Sequence, residues 1–235
     1  MDKGTDHLIV TESLAKDYFD GGAPVPAVRG IDLTIEAGEF TAIVGPSGSG
    51  KTTFLNLISG LDAPTGGKVW LKDKLLSGLS GNELSDFRRD HIGFIFQAYN
   101  LIPVLNVREN IEYIMLLQGV PEKERRERVG EILKEIGMAG FERRFPPKIS
   151  GGQQQRVAVA RAMVSRPELI LADEPTANLD SGTGAELLDM MRDLNRRTGM
   201  TFLFSTHDPM VMDRADRVVT LHDGRVAKDD RRART

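Results

Sequence analysis

Residues 45–52 of this 235-residue chain are the part best suited to bind phosphate. They read Gly-Pro-Ser-Gly-Ser-Gly-Lys-Thr and fit the pattern G-x-x-x-x-G-K-[ST] in full. Glycines let the backbone N–H groups of such a loop converge on phosphate oxygens, and a helix that begins near Lys51 adds its positive dipole end. The Lys51 ammonium can neutralise the β- and γ-phosphates of a nucleotide, and the Thr52 hydroxyl can bind Mg²⁺. The predicted nucleotide contacts here are Gly45, Pro46, Ser47, Gly48, Ser49, Gly50, Lys51, Thr52 and Thr53.

Two adjacent acids, Asp173 and Glu174, follow the apolar run at residues 169–172. A buried strand delivers such carboxylates to its C-terminal end, where α/β sheets bind their ligands. Asp173 can hold Mg²⁺, directly or through water, and Glu174 can polarise an attacking water as a general base. Alone, the pair could be a solvated turn. Together with the phosphate loop, it predicts a site that hydrolyses a nucleotide.

A second segment that could bind an anion begins at Ser150 and reads Ser-Gly-Gly-Gln. It opens a predicted helix, and a helix N-terminus of this kind can face a phosphate. The alternative is a plain N-cap at Ser150. One chain with two such helix ends but a single nucleotide loop suggests that the second end serves a nucleotide held by another copy.

The elements around the phosphate loop form the order strand, loop, helix. Residues 31–35 alternate between apolar and polar side chains, which predicts a half-buried strand, and Phe40–Val44 is a continuous apolar run typical of a strand buried on both faces. Residues 51–59 are predicted to form a helix that ends at Gly60. This is the context that a phosphate-binding loop requires.

The middle of the chain is predicted to be helical. Residues 129–136 have apolar side chains at helical spacing, between a possible helix start at Pro121 and a possible end at Gly137. A further helix is predicted at residues 152–164, and it closes before Pro167.

The C-terminal part returns to the α/β pattern. A strand is predicted at residues 202–205, followed by an Asp208 N-cap and a first-turn proline at Pro209. Residues 218–227 predict a hairpin around Asp223-Gly224. The charged residues 229–235 are expected to be disordered.

Composition narrows the classes of function. The net charge of -3 and the isoelectric point near 5.9 give no basic footprint for nucleic acid, so no nucleic-acid partner is expected. The absence of cysteine excludes disulfides and thiolate metal sites. The polar N-terminus lacks the apolar core of a secretory signal, and no apolar run approaches the ~20 residues that span a bilayer. Any membrane role is therefore expected to come through a partner.

With these motifs in this order, the sequence resembles the nucleotide-binding domain of ABC transporters over roughly residues 8–227. The resemblance implies an α/β fold: a P-loop NTPase (RecA-like) core with an N-terminal antiparallel β-subdomain. An α-helical subdomain would be inserted at about residues 98–154, within one ATPase domain over residues 1–235. The family binds ATP and Mg²⁺ and hydrolyses the ATP.

Further residues take roles by this resemblance. Tyr18 matches the aromatic residue that stacks on adenine, with Phe19 as the alternative. Gln97 matches the glutamine of the Q-loop, which implies a catalytic and Mg²⁺-binding role. Asp180 matches the D-loop aspartate. His207 matches the switch histidine and can reach a γ-phosphate, although a lone histidine is more often structural.

The signature sequence of the family, usually Leu-Ser-Gly-Gly-Gln, is similar to the segment that begins at Ile149. The only departure is isoleucine for leucine, which keeps an apolar residue. The resemblance implies nucleotide contacts across a homodimer interface from Ser150, Gly151, Gly152 and Gln153. Asp173 and Glu174 match the Walker B pair.

An apolar stretch follows Gln97, namely Tyr99, Leu101, Ile102, Pro103 and Leu105. If it is partly exposed, it suits the docking of a helix from a membrane permease near residues 97–105. The alternative is that these side chains form the core of the helical subdomain.

Longer stretches of sequence resemble the ATPases of lipoprotein release and macrolide export, namely residues 60–66, 93–97 and 172–180. The leading hypothesis is therefore a homodimeric transporter ATPase at the cytoplasmic face of the inner membrane. A regulatory or force-transmitting ATPase without a substrate is the alternative. A DNA-repair ATPase of this kind would need a long coiled-coil insertion, and the sequence shows no sustained heptads. A translation ATPase would carry two such domains in tandem, and one is predicted here. The Ser150-Gly-Gly element argues against a small-molecule kinase.

Overall fold

The computed structural model describes residues 7–232, except for the side chain of Asp20. The strands are β1 His7–Asp20, β2 Ala23–Glu36, β3 Phe40–Val44, β4 Gly66–Leu71, β5 Lys74–Leu75, β6 Ile92–Ile95, β7 Leu169–Asp173, β8 Thr201–Thr206, β9 Arg217–His222 and β10 Arg225–Arg231. The helices are α1 Lys51–Ile58, α2 Gly81–His91, α3 Val107–Leu117, α4 Glu122–Glu135, α5 Gly151–Met163, α6 Ser181–Thr198 and α7 Pro209–Arg214, with short 3₁₀ turns at Leu76–Gly78 and Pro146–Lys148. The polar segment before His7 and the last residues of the predicted tail, 233–235, lie outside the described residues.

The larger sheet has six strands in the order β10-β9-β3-β8-β7-β6. Its strands run parallel except β10, which pairs antiparallel with β9. The continuous apolar runs of β3 and β8 are buried on both faces, as parallel strands covered by helices should be. Phe40 packs on Phe204 with ring centroids 4.6 Å apart, in the cluster on one face, while Ile43 points into the cluster on the other.

The smaller sheet has four antiparallel strands in the order β2-β1-β4-β5. Ile31, Leu33 and Ile35 of β2 are buried and alternate with more exposed residues, as the sequence pattern predicts. The protein thus joins an antiparallel sheet to a mainly parallel α/β sheet.

The helices α5 and α7 begin at side-chain caps, at Ser150, where a plain cap was the alternative, and at Asp208, where a cap was predicted. Ser150 and Gln153 form a reciprocal capping box at the start of α5, because the Ser150 side chain accepts from the Gln153 N–H and the Gln153 side chain accepts from the Ser150 N–H. The Asp208 side chain caps α7, whose first residue is Pro209.

The chain between β6 and β7 carries α3, α4 and α5, and no strand occurs there among the described residues. Three side chains of the helices are buried in the same hydrophobic cluster as Phe40 of β3, namely Ile111 and Met115 of α3 and Leu133 of α4. The predicted boundary of the helical insertion at residue 154 lies inside α5. The C-terminal part of α5 packs on β6, where a Cβ on Gly93 would stand 2.2 Å from the Ala162 carbonyl oxygen. The division at residues 98–154 stays a prediction.

The prediction of a disordered tail from Asp229 onward is wrong for Asp229–Arg231, which lie in β10. The Arg217 guanidinium donates to both carboxylate oxygens of Asp229, at 2.8 and 2.7 Å, and also lies 3.2 Å from Glu39. This cation holds the pKa of Asp229 below its usual range. The charged residues therefore pair with a buried partner on the neighbouring strand, which the local sequence does not reveal.

Among residues 7–232, no helix combines the length and the apolar character needed to cross a membrane.

Candidate active site

The register of the parallel strands brings the chemically distinctive segments to one edge of the sheet. β3 and β8 end together, with Val44 opposite Thr206, and β7 ends beside them, with Asp173 opposite Ser205. β6 ends next to β7 at Ile95. The phosphate loop, the acidic pair, the predicted switch histidine and the Q-loop glutamine therefore leave the sheet at the same carboxyl edge.

The phosphate loop is pressed against two other strands at its glycines. A Cβ on Gly45 would stand 2.2 Å from the Leu221 carbonyl oxygen, and one on Gly50 would stand 2.4 Å from the Ala27 carbonyl oxygen. Gly50 has φ 98°, a left-handed conformation that side chains disfavour. Only glycine fits at both positions, so the loop keeps its tight path into α1.

The Lys51 side chain folds back over this loop. Its Nζ donates to the carbonyl oxygens of Gly45, at 2.8 Å, and Pro46, at 3.0 Å. The ammonium is therefore held above the loop at the N-terminal end of α1, where an anion is favoured. Next to it, the hydroxyl-bearing Thr52 and the carboxyl-bearing Asp173 line one small cavity of about 40 Å³.

Burial raises the pKa of the Asp173 carboxyl, and the neighbouring charge of Glu174 adds to the effect, while Ser205 and Lys51 oppose it. Glu174 itself has a left-handed backbone with φ 46°, and its N–H donates to the Ser205 carbonyl oxygen at 2.9 Å. This conformation turns the chain sharply at the end of β7.

Both carboxylate oxygens of Glu174 have a partner. The Thr206 hydroxyl donates to one at 2.9 Å, and the Nδ1 atom of His207 lies 2.6 Å from the other. Thr206 is fully buried, and its hydroxyl also accepts from the Asp208 N–H at 3.0 Å, so its direction is set. The His207 ring, by contrast, is 77% exposed. Sequence reasoning missed Thr206, and the only signal was a hydroxyl directly before the histidine.

Asp173→Asn is expected to leave the nucleotide-free, Mg²⁺-free protein at least as heat-stable as the wild type at neutral pH. Because the folded-state pKa of Asp173 is raised, its contribution to stability is lost as the pH rises through that pKa, and an amide of the same shape lacks this cost. Thermal melting at several pH values measures the effect. The advantage of the variant should shrink as the pH falls and the wild-type carboxyl becomes protonated. A clearly lower Tm at neutral pH would contradict the electrostatic account.

Tyr18 is held in place while Phe19 is not. The Tyr18 hydroxyl donates to Asp62 at 2.8 Å, and the Lys16 ammonium lies 5.1 Å from the ring centroid. Burial raises the pKa of Tyr18, and the hydrogen bond to Asp62 adds to the effect. Phe19 is 74% exposed. Of the two candidate rings, Tyr18 is therefore the one with a defined position.

The apolar stretch after Gln97 is divided between core and surface. Leu101 packs against the main core cluster, whereas Val104, which sequence reasoning did not single out, is 78% exposed. The last turn of α3 carries two more exposed apolar side chains, Leu116 and Leu117. Leu101 thus follows the core alternative, and the exposed docking patch stays a prediction.

The Ser150 segment does not meet the phosphate loop of its own chain. A Cβ on Gly152 would stand 2.5 Å from Thr183 at the start of α6, and one on Gly151 would stand 3.1 Å from the Tyr99 hydroxyl. Within residues 7–232, no hydrogen bond joins Ser150 or Gln153 to residues 45–52. Asp180, the N-cap of α6, lies beside this segment.

A cavity of about 550 Å³ lies at the opposite edge of the sheet, next to Glu168 and Thr201. It contains none of the motif residues. The donor chemistry at the carboxyl edge, rather than cavity size, therefore locates the candidate site.

Comparisons with known proteins found related sequences and related structures. The sequence model of the ABC transporter family matches residues 28–177. The chain is 45% identical to the lipoprotein-releasing system ATP-binding protein LolD of Anaeromyxobacter dehalogenans (strain 2CP-C), over 91% of this chain and 90% of that protein. It is also 45% identical to the macrolide export ATP-binding/permease protein MacB of Rhodopseudomonas palustris (strain HaA2), over 94% of this chain but only 34% of that longer protein.

The fold is likewise similar to solved structures. The ATP-binding cassette MJ0796, in a dimeric post-hydrolysis state with ADP and Pi, superposes with a TM-score of 0.88. The sequences are 40% identical, and the match covers 97% of this chain and 100% of that one. This likeness confirms the predicted fold class.

Proposed function

Because this chain belongs to the ABC transporter family, as a subunit that binds and hydrolyses ATP, we propose that it powers export or lipoprotein extrusion through a separate membrane subunit. The observation that carries the proposal is the similarity to the LolD protein, which extends over nine-tenths of both chains. The work done on the substrate would then occur in the partner, and this chain would supply the force.

The carboxyl edge supports a division of roles. The phosphate loop and Lys51 would hold the β- and γ-phosphates, and Tyr18 would stack on the adenine. Glu174 would polarise the attacking water, since Thr206 and His207 hold its carboxylate at the end of β7. His207 would turn from Glu174 to the γ-phosphate, which its exposure permits.

The residues present fit Mg²⁺. The Thr52 hydroxyl and the Asp173 carboxyl share one cavity, and Gln97 leaves the sheet at the same edge. Magnesium favours such oxygen donors, and it usually takes one or two carboxylates plus phosphate oxygens and waters. Within the described residues, no cluster of three or more His, Cys, Asp or Glu offers a metal cage, which suits an ion that arrives with the nucleotide. When bound, Mg²⁺ would neutralise charge on the phosphate oxygens.

A second copy of the chain would complete each site. The Ser150 segment opens α5 at a helix N-terminus, and its own contacts are Tyr99 and Thr183 rather than the phosphate loop. MJ0796, the similar solved protein, forms a dimer with ADP and Pi. In an ATP-bound dimer, Ser150, Gly152 and Gln153 of one subunit would face the γ-phosphate held by the other, with Asp180 nearby.

The permease would dock near residues 97–105, next to the nucleotide site. Val104 is the most exposed apolar side chain there, and an exposed apolar residue can contact a partner. Docking at this place would put the chain at the cytoplasmic face of the inner membrane. A helix of the partner would then sense the position of Gln97.

Co-purification tests this function. A tagged chain carrying Glu174→Gln, extracted from its native membrane in mild detergent, should retain an integral membrane partner. The wild-type complex in proteoliposomes should then release a lipoprotein or expel a small amphiphile only when ATP is supplied. ATP hydrolysis without any movement of substrate would instead favour the force-transmitting or regulatory alternative.

Cross-linking tests the shared site. Cysteines placed at Ser47 and Gln153, in a chain with no native cysteine, are expected to join two subunits when ATP closes the Glu174→Gln protein. The physical reason is that the phosphate loop of one subunit would lie against the signature segment of the other. Denaturing electrophoresis after oxidation shows the dimer band, and single-cysteine variants are the matched controls. A link formed only within one chain, or none, would rule out the composite site.

A further inference from the structure

A strained dipeptide follows the Q-loop glutamine. Tyr99 and Asn100 have φ values of 60° and 50°, two consecutive left-handed residues of which neither is glycine. Asparagine tolerates this conformation better than tyrosine, but each non-glycine residue there costs free energy. Such a pair persists only when the surrounding structure holds it, so the contacts that hold it identify what the protein needs at this place.

Arg161 of α5 holds the strained pair. Its guanidinium donates to the Asn100 carbonyl oxygen at 2.5 Å and to the Tyr99 carbonyl oxygen at 2.8 Å. Burial lowers the pKa of Arg161, and its planar fork spans two consecutive carbonyls as the single ammonium of a lysine does not. Arg161 lies on the helix that begins with the Ser150 capping box.

Two further contacts close a ring around this position. The Tyr99 hydroxyl lies 3.1 Å from where a Cβ on Gly151 would stand, so it covers the first turn of α5. It also lies 3.5 Å from the carbonyl oxygen of Asn178, whose side-chain amide donates to the Gln97 carbonyl oxygen at 2.8 Å. The Q-loop, the start of α5 and the segment before Asp180 are thus tied to one another within one chain.

We propose that Arg161 is a positioning residue that makes the Gln97 segment and the Ser150 helix start move as one body. This rests on the proposed function, in which Gln97 serves the nucleotide of its own chain and Ser150 the nucleotide of the partner. A shift of Gln97 on ATP binding would pass through the strained pair and Arg161 into α5. The clamp therefore couples the two sites of the dimer.

The same helix offers a matched control. Arg156 is also a half-buried arginine of α5, but it donates to the Ile136 carbonyl oxygen and to Glu186, away from the Q-loop. Arg161→Lys and Arg156→Lys each replace a guanidinium of α5 with an ammonium. Each change keeps the positive charge but loses the planar set of donors. Both should lower the Tm to a similar degree, and only Arg161→Lys should act on residues 97–100.

Two readouts separate positioning from general stability. Hydrogen exchange of the amides at residues 97–100 in the nucleotide-free protein should become at least about tenfold faster in Arg161→Lys and stay unchanged in Arg156→Lys, because the guanidinium contact that spans both carbonyls is lost only in Arg161→Lys. The Hill coefficient of ATP hydrolysis, above 1 in a coupled dimer, should fall toward 1 in Arg161→Lys alone. If Arg161→Lys does not fold, Asn178→Ala, which removes the other tie to Gln97, should show the same pattern.

The outcomes are distinguishable. Equal effects of the two lysine variants on exchange at residues 97–100, or no effect of Arg161→Lys there, would overturn the clamp. Faster exchange with an unchanged Hill coefficient would overturn the coupling role. A wild-type Hill coefficient of 1, with no ATP-dependent dimer, would instead overturn the proposed composite site and leave the exchange result to judge the clamp alone.

Discussion

Replacing Glu174 by glutamine is expected to lower ATP turnover by about 10²-fold or more while ATP affinity is retained. The amide keeps the size of the side chain and can still meet Thr206 and His207, which hold the carboxylate at 2.9 and 2.6 Å in the wild type. It cannot accept a proton from water. The loss should therefore appear in kcat and leave the dissociation constant for ATP within a few-fold.

The same variant should accumulate as an ATP-bound dimer, because the step that would release the two subunits is blocked. Gel filtration with ATP and with ADP measures the shift. Glu168→Gln is a matched control directly before the start of β7, where the wild-type carboxylate pairs with Lys72 and His91. The control is expected to melt earlier, because it loses these ion pairs, and to hydrolyse ATP normally. Turnover near the wild-type rate in Glu174→Gln would remove Glu174 from the mechanism.

Replacing Lys51 by alanine is expected to weaken ATP binding by about 10- to 10²-fold and to abolish measurable hydrolysis. A hydrogen bond to a charged group contributes roughly 1.5–3 kcal/mol, and the charge on the β- and γ-phosphates would be left without its cation. Fluorescence titration with a labelled ATP analogue gives the affinity, and phosphate release gives the rate.

Two controls make the Lys51 result specific. Lys72→Ala removes an equally long cation far from the carboxyl edge, where it pairs with Glu168, and should leave hydrolysis intact. Thermal melting of Lys51→Ala checks that losing the bonds to the Gly45 and Pro46 carbonyls has not unfolded the loop. Excess chelator should stop the wild-type protein as well. Robust hydrolysis under chelation would contradict the Mg²⁺ roles of Thr52 and Asp173.

The sequence by itself determined the local elements that carry the chemistry. The phosphate loop, its preceding strand and its following helix were predicted at their observed places, since glycine spacing and apolar runs act within a few residues. The cap at Asp208 was predicted for the same reason, and a plain cap at Ser150 was the alternative to an anion site there. The whole-chain resemblance to the ABC transporter family, confirmed by the comparisons, added the order of the motifs.

Only the tertiary structure decided which distant residues meet. Thr206 reaches Glu174 because β7 and β8 are neighbours in register, although the two residues are 32 positions apart in the sequence. Asp229 is ordered because Arg217 lies on the adjacent strand. Local composition instead suggested a disordered tail. The burial that raises the pKa of Asp173 is likewise a property of the packed sheet edge.

The ring around Arg161 belongs to this second group. Nothing in residues 97–100 predicts two left-handed residues, because tyrosine disfavours that conformation and the cost is offset by a guanidinium from α5. Propensities and hydrophobic periods describe what a short segment prefers. Hydrogen bonds between segments far apart in the chain depend on sheet register and helix packing. Patterns in the sequence do not show which segments these bonds join.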